Sequence, residues 1–287
     1  MKKIVWLLMM VMMPMVMMPM VANAAFSRNV DLEDEDELFC RLDQYIARRD
    51  EFSSKKEKKL IRMKKKLNIT SDKRERLNLY NQIYREYYTY RYDSAMVYAN
   101  RGLQLAEQLH DAYYIDLNKI NRAAVLSTGG FYSQAEDLLL SLKSEDISPK
   151  LMQYYYYTLT WVYNYWGAFC ERSEFKEEMQ DQKRLYLAKT LEYVGNKQSA
   201  LYYYLSGELE YLLHRTDKKV LDWYQKALAA SSVDSRVHAS SAYCIARYYH
   251  DNEQMDLYEK YLVEAAISDQ VCPLKENLAL QELSTYL

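Results

Sequence analysis

The feature that most constrains the fold is a pair of helical segments that recurs from residue 72 onward. Each unit has one helix, a tight turn and a second helix with a small or apolar residue on its inner face. The equivalent inner positions are Ala95, Ala135, Val220 and Tyr258, and they are separated by 40, 85 and 38 residues. The middle interval holds about two units, one of them irregular. A helix pair repeated every ~34–40 residues is typical of a stacked solenoid. We therefore predict an all-α solenoid of about six to seven helix pairs.

The clearest unit runs from Leu117 to Leu142. Gly129-Gly130 is expected to end its first helix, because glycine commonly follows a helix C-terminus. Ser133 and Glu136 have the spacing of a capping box at the start of the second helix. The chain contains only 6 Gly and 4 Pro and has no Asn-Gly or Asp-Gly hairpin sequence, which argues against a β-rich fold.

The N-terminus has the pattern of an export signal. Lys2 and Lys3 precede an apolar run over 4–21, and Ala22-Asn23-Ala24 supplies the small residues of a cleavage site. We predict a signal peptide over 1–24, cleaved after Ala24, and a periplasmic protein; an uncleaved membrane anchor is the alternative. The remaining chain is divided into an N-terminal helical cap (25–71) and the solenoid (72–287), which ends within an incomplete repeat.

Charge and hydropathy limit the partners of the mature chain. The whole sequence has a net charge of −2, and residues 25–287 have −4, which disfavours binding to nucleic acid. The basic stretch 55–66 is either an anionic-lipid or nucleic-acid patch or a solvated helix face, and we favour the solvated face. No run in the mature chain approaches 18 apolar residues, so no membrane span is expected there.

Four cysteines, Cys40, Cys170, Cys244 and Cys272, lie in the mature chain at wide, irregular spacings. They allow three disulfide pairings. We favour buried free thiols within helices over a single long-range disulfide, and the spacing does not favour a metal site.

Three stretches carry a resemblance to the tetratricopeptide repeat family: AAVLSTGGFYSQAEDLLLSL, DWYQKAL and YYHDNEQMDLYEKYLVEAA. This resemblance implies a right-handed α-α superhelix. RYDSAMVYANRGLQLAEQLHD and VCPLKENLALQELSTYL also resemble a group of exported Bacteroidetes proteins. In that group a signal peptide, tetratricopeptide repeats, a membrane helix and a cytoplasmic regulatory domain follow one another, which implies a periplasmic sensor half.

The sequence departs from that layout because it stops at Leu287, within the first helix of a further repeat. We expect either a truncated form of a longer membrane-bound regulator or a periplasmic half that works alone. Asp93-Ser94-Ala95 is similar to the O-glycosylation pattern of exported Bacteroidetes proteins, although Ser94 also suits a helix start.

The sequence contains few signs of catalysis. It has no G-x-G-x-x-G, P-loop, G-x-S-x-G or H-E-x-x-H motif. Its carboxylate pairs, Glu177-Glu178 and Glu208 with Glu210, are interpreted as solvated helix faces. We therefore predict a protein that is not an enzyme and that uses no cofactor or metal. The alternative is a helical carbohydrate-active enzyme or a glycan-binding protein, which would need two carboxylates that converge in a cleft.

Tyrosine is over-used, with 30 residues against 6 Phe, and it clusters in runs such as Tyr154 to Tyr157 that wrap around a helix. We expect most of these rings to fill the space between helices, and a subset to face a groove. In the repeat family the first helix of each pair lines the concave face. Positions −6, −3, +1 and +4 from the small residue lie on that face. Counting from Ile83 and Ala246 predicts that six side chains point into the groove: Tyr80, Tyr84, Tyr87, Tyr243, Arg247 and His250. The predicted function is protein interaction or sensing, with a peptide, protein or envelope component bound in this groove.

Overall fold

The structure, a computed structural model, describes residues 35–273 and 277–286, with side chains from residue 37. The predicted signal peptide and the segment 25–34 therefore lie outside the described residues. Within that range the chain forms thirteen helices and no strand. They are α1 (Glu35–Ala47), α2 (Arg49–Ile69), α3 (Lys73–Tyr88), α4 (Tyr92–Gln108), α5 (Ala112–Thr128), α6 (Tyr132–Leu140), α7 (Met152–Phe169), α8 (Lys176–Tyr193), α9 (Ala200–Leu213), α10 (Lys218–Ala229), α11 (Arg236–Asp251), α12 (Met255–Val271) and α13 (Leu278–Tyr286).

The helices pack in sequential pairs, and each pair contacts the next. Neighbouring first helices also contact each other along the row, from α3 through α5 to α7 and from α9 to α11. We call α3, α5, α7, α9 and α11 the inner helices. The predicted all-α solenoid is confirmed.

Capping side chains start most inner helices. Asp72, Asp111, Ser199 and Ser235 accept a hydrogen bond from a backbone N–H three residues on, at the starts of α3, α5, α9 and α11. The start of α7 has Leu151 at this position and no side-chain cap. The irregular unit in the sequence is therefore the pair α7–α8.

The predicted inner positions are buried. Ala95, Ala135 and Val220 are 0% exposed and Tyr258 is 3% exposed. Small side chains let the paired helices approach closely, so each pair needs the next to cover its apolar side.

The turn predicted at Gly129-Gly130 is confirmed, and the capping box predicted at Ser133 is not. Gly129 ends α5, and Gly130 has a φ of +86°, a left-handed conformation that favours glycine. The capping box predicted at Ser133 is wrong, because α6 begins at Tyr132 with no side-chain cap. The Glu136 carboxylate instead accepts a hydrogen bond from the Tyr163 hydroxyl.

The first described helix packs against the last complete pair. Leu38 and Leu42 of α1 are buried in the same core as Leu262 and Ala266 of α12. Arg41 of α1 also pairs with Glu264 of α12 at 3.2 Å. The described row therefore turns far enough for its two ends to meet.

All four cysteines are free thiols. Cys244 is buried, Cys170 and Cys272 are partly buried at helix ends, and Cys40 is exposed. Only Cys244 therefore matches the expectation of a buried free thiol. In the described ranges, no helix has both the length and the apolar character required to cross a bilayer.

Candidate functional site

A cavity of about 240 Å³ lies against the inner helices. Its wall comes from the ends of α3 and α5, from the start of α4, from α7, α9 and α11, and from α12 and α13. The aromatic side chains of this wall are Tyr88, Tyr92, Trp161, Tyr165, Tyr204 and Tyr243. The charged and amide side chains are Asn164, Glu208, Arg236, Arg247 and Asp269. Aromatic walls with a few placed polar groups are typical of ligand sites.

One end of the cavity is built around Glu208, which is only 4% exposed. Its carboxylate accepts hydrogen bonds from Lys183 Nζ at 3.0 Å and from the Arg247 guanidinium at 3.1 Å. The Tyr224 hydroxyl donates to the same carboxylate at 2.7 Å. Burial alone raises the pKa of Glu208, but the two cations outweigh burial and hold the pKa well below its usual range. Glu208 is therefore ionised at neutral pH.

Cys244 also contacts this carboxylate. Its thiol donates to Glu208 Oε1 at 3.3 Å. Burial, and then the nearby Glu208 charge, raise the pKa of the thiol to about 12. Cys244 is therefore protonated and unsuited to act as a nucleophile.

The Arg247 guanidinium is held between the Glu208 carboxylate and the ring of Tyr211. The group lies 3.9 Å from the centroid of the Tyr211 ring. The Tyr211 hydroxyl donates to Asp251 at 2.8 Å, and Arg215 pairs with the same carboxylate at 2.6 Å. This network orients Arg247 toward Glu208.

The other end of the cavity contains Arg236, the first residue of α11. Its guanidinium donates to the Tyr165 hydroxyl at 3.3 Å and lies 6.0 Å from the centroid of the Tyr88 ring. Residues from α3, α7 and α11 therefore meet at this end.

The groove residues predicted by counting from Ala246 and those predicted by counting from Ile83 differ in their position relative to the cavity. Tyr243 and Arg247 line the cavity, and the Tyr243 hydroxyl donates to Glu282 at 2.6 Å. The His250 side chain is 57% exposed, and its ring meets the Tyr258 ring of α12 at 5.1 Å.

The three tyrosines counted from Ile83 are not brought to the cavity wall. Tyr84 is 2% exposed, and its hydroxyl donates to the Asn121 carbonyl at 3.1 Å. Tyr87 is equally buried, and Lys64 of α2 donates to its hydroxyl at 2.6 Å. The Tyr80 hydroxyl accepts from Arg76 at 3.2 Å.

Sequence reasoning missed most of the wall, although the same count along a helix reaches part of it. Counted from Gly207, positions −3 and +1 are Tyr204 and Glu208, and both line the cavity. Arg236 lies one further turn before Ser240, on the same face of α11. The interpretation of Glu208 as part of a solvated face is wrong, because Lys183 and Arg247 pair with its buried carboxylate and the sequence pair alone does not reveal them.

In the part of the chain that the structure describes, no group of three or more His, Cys, Asp or Glu side chains is placed to hold a metal ion.

Comparison with known proteins identifies a family over most of the chain. A family model described as "SusR N-terminal TPR domain" matches residues 46–287. No curated protein matches the chain in sequence.

Proposed function

The chain belongs to the family of SusR N-terminal TPR domains, and from this premise we propose that it is a periplasmic sensing module that binds a compact ligand in the cavity against its inner helices. The family is a non-catalytic repeat domain, and tetratricopeptide repeats serve protein interaction. The observation that carries the proposal is the combination of aromatic walls with fixed charges at both ends of one cavity.

The cavity favours a compact ligand over a long peptide. Since α1 packs on α12, the two ends of the described row touch. The inner face offers a partly open space of about 240 Å³. A small molecule, or a short segment of a peptide or envelope component, suits such a space. Signal transfer to a protein partner would use the remaining solenoid surface.

The second candidate is a carbohydrate-active or glycan-binding protein, favoured by the two carboxylates in the wall, Glu208 and Asp269. A glycosidase needs one carboxylic acid with a raised pKa to protonate the leaving group. The ion pairs of Glu208 with Lys183 and Arg247 lower its pKa instead. This arrangement supports recognition of a ligand better than proton donation.

A cavity-filling variant tests the proposal. Ser240 lines the cavity, so Ser240→Trp should occupy it. Gln104→Trp, on the exposed face of α4, adds the same side chain elsewhere and is the matched control. Purified protein is incubated with fractionated small molecules from the growth medium and examined by native mass spectrometry. We expect the same added mass on the wild type and on Gln104→Trp, and none on Ser240→Trp. An adduct on all three proteins, or on none, would contradict the proposal.

A further inference from the structure

The Arg236 end of the cavity differs from the Glu208 end in its charge balance. At the Glu208 end both cations have a carboxylate partner, since Lys183 and Arg247 share the carboxylate of Glu208 at 3.0 and 3.1 Å. At the other end, the guanidinium of Arg236 has a hydrogen bond to the neutral Tyr165 hydroxyl and a contact with the Tyr88 ring. Of the described carboxylates, none lies within the 4.0 Å ion-pair distance of Arg236, although Asp269 lines the same cavity.

The Arg236 guanidinium has hydrogen-bond donors that no described protein group uses. A guanidinium has five N–H donors in a planar fork, and Arg236 uses one donor group for a protein hydrogen bond. The group lies among Tyr88, Tyr157 and Tyr165, where water is displaced by rings and the favourable hydration of the cation is reduced. The N-terminus of α11, where Arg236 lies, adds further positive potential.

The adjacent wall supplies an apolar surface. Trp161 lines the cavity, and its ring lies 5.9 Å from the Tyr165 ring. A flat ligand body against Trp161 would therefore sit beside the Arg236 fork.

Resting on the proposed function of the cavity, we propose that its ligand is a small carboxylic acid, whose carboxylate pairs with Arg236 between Tyr88 and Tyr165. The planar fork of arginine matches a carboxylate in two parallel hydrogen bonds. The ligand body lies toward Trp161. The opposite end, where Glu208 is already neutralised, contacts the neutral part of the ligand.

Matched acid and alcohol probes test this proposal. The pairs are D-glucuronate with D-glucose, and phenylacetate with 2-phenylethanol; each pair differs mainly at the carboxylate. Binding is followed by isothermal titration calorimetry and by tryptophan fluorescence. We expect at least one acid to bind about tenfold or more tightly than its neutral partner, since a charge-assisted pair contributes that much.

Variants then assign the effect to Arg236. Arg236→Gln should remove the preference for the acid, and Arg236→Lys should keep part of it, because lysine keeps the charge without the fork. Arg172→Gln, in the exposed turn after α7, makes the same charge change elsewhere and should keep the preference. If Arg236→Gln loses its helical circular dichroism, Arg236→Lys against Arg172→Gln carries the comparison.

Three results would overturn the carboxylate proposal. They are equal binding of acids and alcohols, an unchanged preference for the acid in both Arg236 variants, and no binding of any probe. The cavity function itself fails separately, through the Ser240→Trp comparison, in which the chemistry of the ligand is left open.

Discussion

At the scale of single residues, Glu208 is the side chain on which the cavity depends most. It joins Lys183 from α8, Tyr224 from α10, and Arg247 and Cys244 from α11. A buried carboxylate is stable only when ion pairs and hydrogen bonds replace its lost hydration. Ion pairs and hydrogen bonds replace the lost hydration of Glu208, and through them this side chain of α9 contacts α8, α10 and α11.

We predict that Glu208→Gln lowers the free energy of unfolding by about 3 kcal/mol at pH 7, because it leaves two partly buried cations without an anion. Urea unfolding followed by circular dichroism measures the change. Glu210→Gln, two residues away, is the control. Its partner Lys219 is 59% exposed, and the loss of that pair should cost about 1 kcal/mol or less. Equal losses in the two variants would show that the Glu208 pairs are not buried as described.

The effect of pH has a defined sign. The pKa of Glu208 is lower in the folded state than in the unfolded chain, where it is about 4.3. Its contribution is therefore complete well above pH 4.3 and is lost as the pH falls through this value and below it. The difference in stability between the wild type and Glu208→Gln should narrow between about pH 5 and pH 3. A difference that stays constant over this range would contradict the assignment.

At the scale of helices, close packing within a pair depends on small residues at the contact. Gly207 of α9 is the sharpest case, because a Cβ at this position would lie 2.6 Å from the ring of Tyr224 on α10. The ring has no free space, since Tyr224 is 0% exposed and its hydroxyl is bound to Glu208.

We predict that Gly207→Ala destabilises the protein by about 1–3 kcal/mol, because helix α10 must move to admit the methyl group. The higher helix propensity of alanine, about 1 kcal/mol, opposes this loss. Gly167→Ala in α7 is the matched control, since its nearest neighbour would be Met179 Cβ at an ordinary 3.4 Å. Thermal unfolding followed by circular dichroism should give a lower Tm for Gly207→Ala and an equal or higher Tm for Gly167→Ala. The opposite order would refute the close packing of α9 on α10.

The helices themselves were predictable because the signals that produce them are local. Buried small residues such as Ala95 and Ala135, and the terminal Gly129, mark helix faces and ends by spacing alone. The pair α7–α8 was not resolved in the sequence. Its first helix lacks a capping side chain, and its run of tyrosines hides the apolar period.

The site was predictable only where a helix faces the cavity along its length. Counting from Ala246 reached Tyr243 and Arg247, which line it. Counting from Ile83 reached Tyr84 and Tyr87, whose positions depend on partners far away in sequence, Asn121 and Lys64. Such contacts arise from the packing of α2 and α5 on α3, which no local pattern encodes.

At the scale of the described row, the central feature is the contact between its two ends. A solenoid turns by a small rotation at each pair, so its closure depends on the sum of many small steps and not on any one segment. Burial of Leu38 and Leu42 against α12 stabilises the closed arrangement, and Arg41–Glu264 adds a charge pair at its edge. The cavity lies on the inner face of this closed row, and residues of α12 and α13 form part of its wall.

A zero-length cross-link between α1 and α12 tests this closure most directly. Arg41→Lys places an amine opposite Glu264, and carbodiimide treatment joins an amine to a carboxylate only in direct contact. The native pair Lys59–Glu86, at 2.6 Å between α2 and α3, serves as the internal control. Mass spectrometry of the digested Arg41→Lys protein should identify a peptide that joins residues 41 and 264, absent from Arg41→Gln. Recovery of the Lys59–Glu86 link without any link between α1 and α12 would show that the row is open.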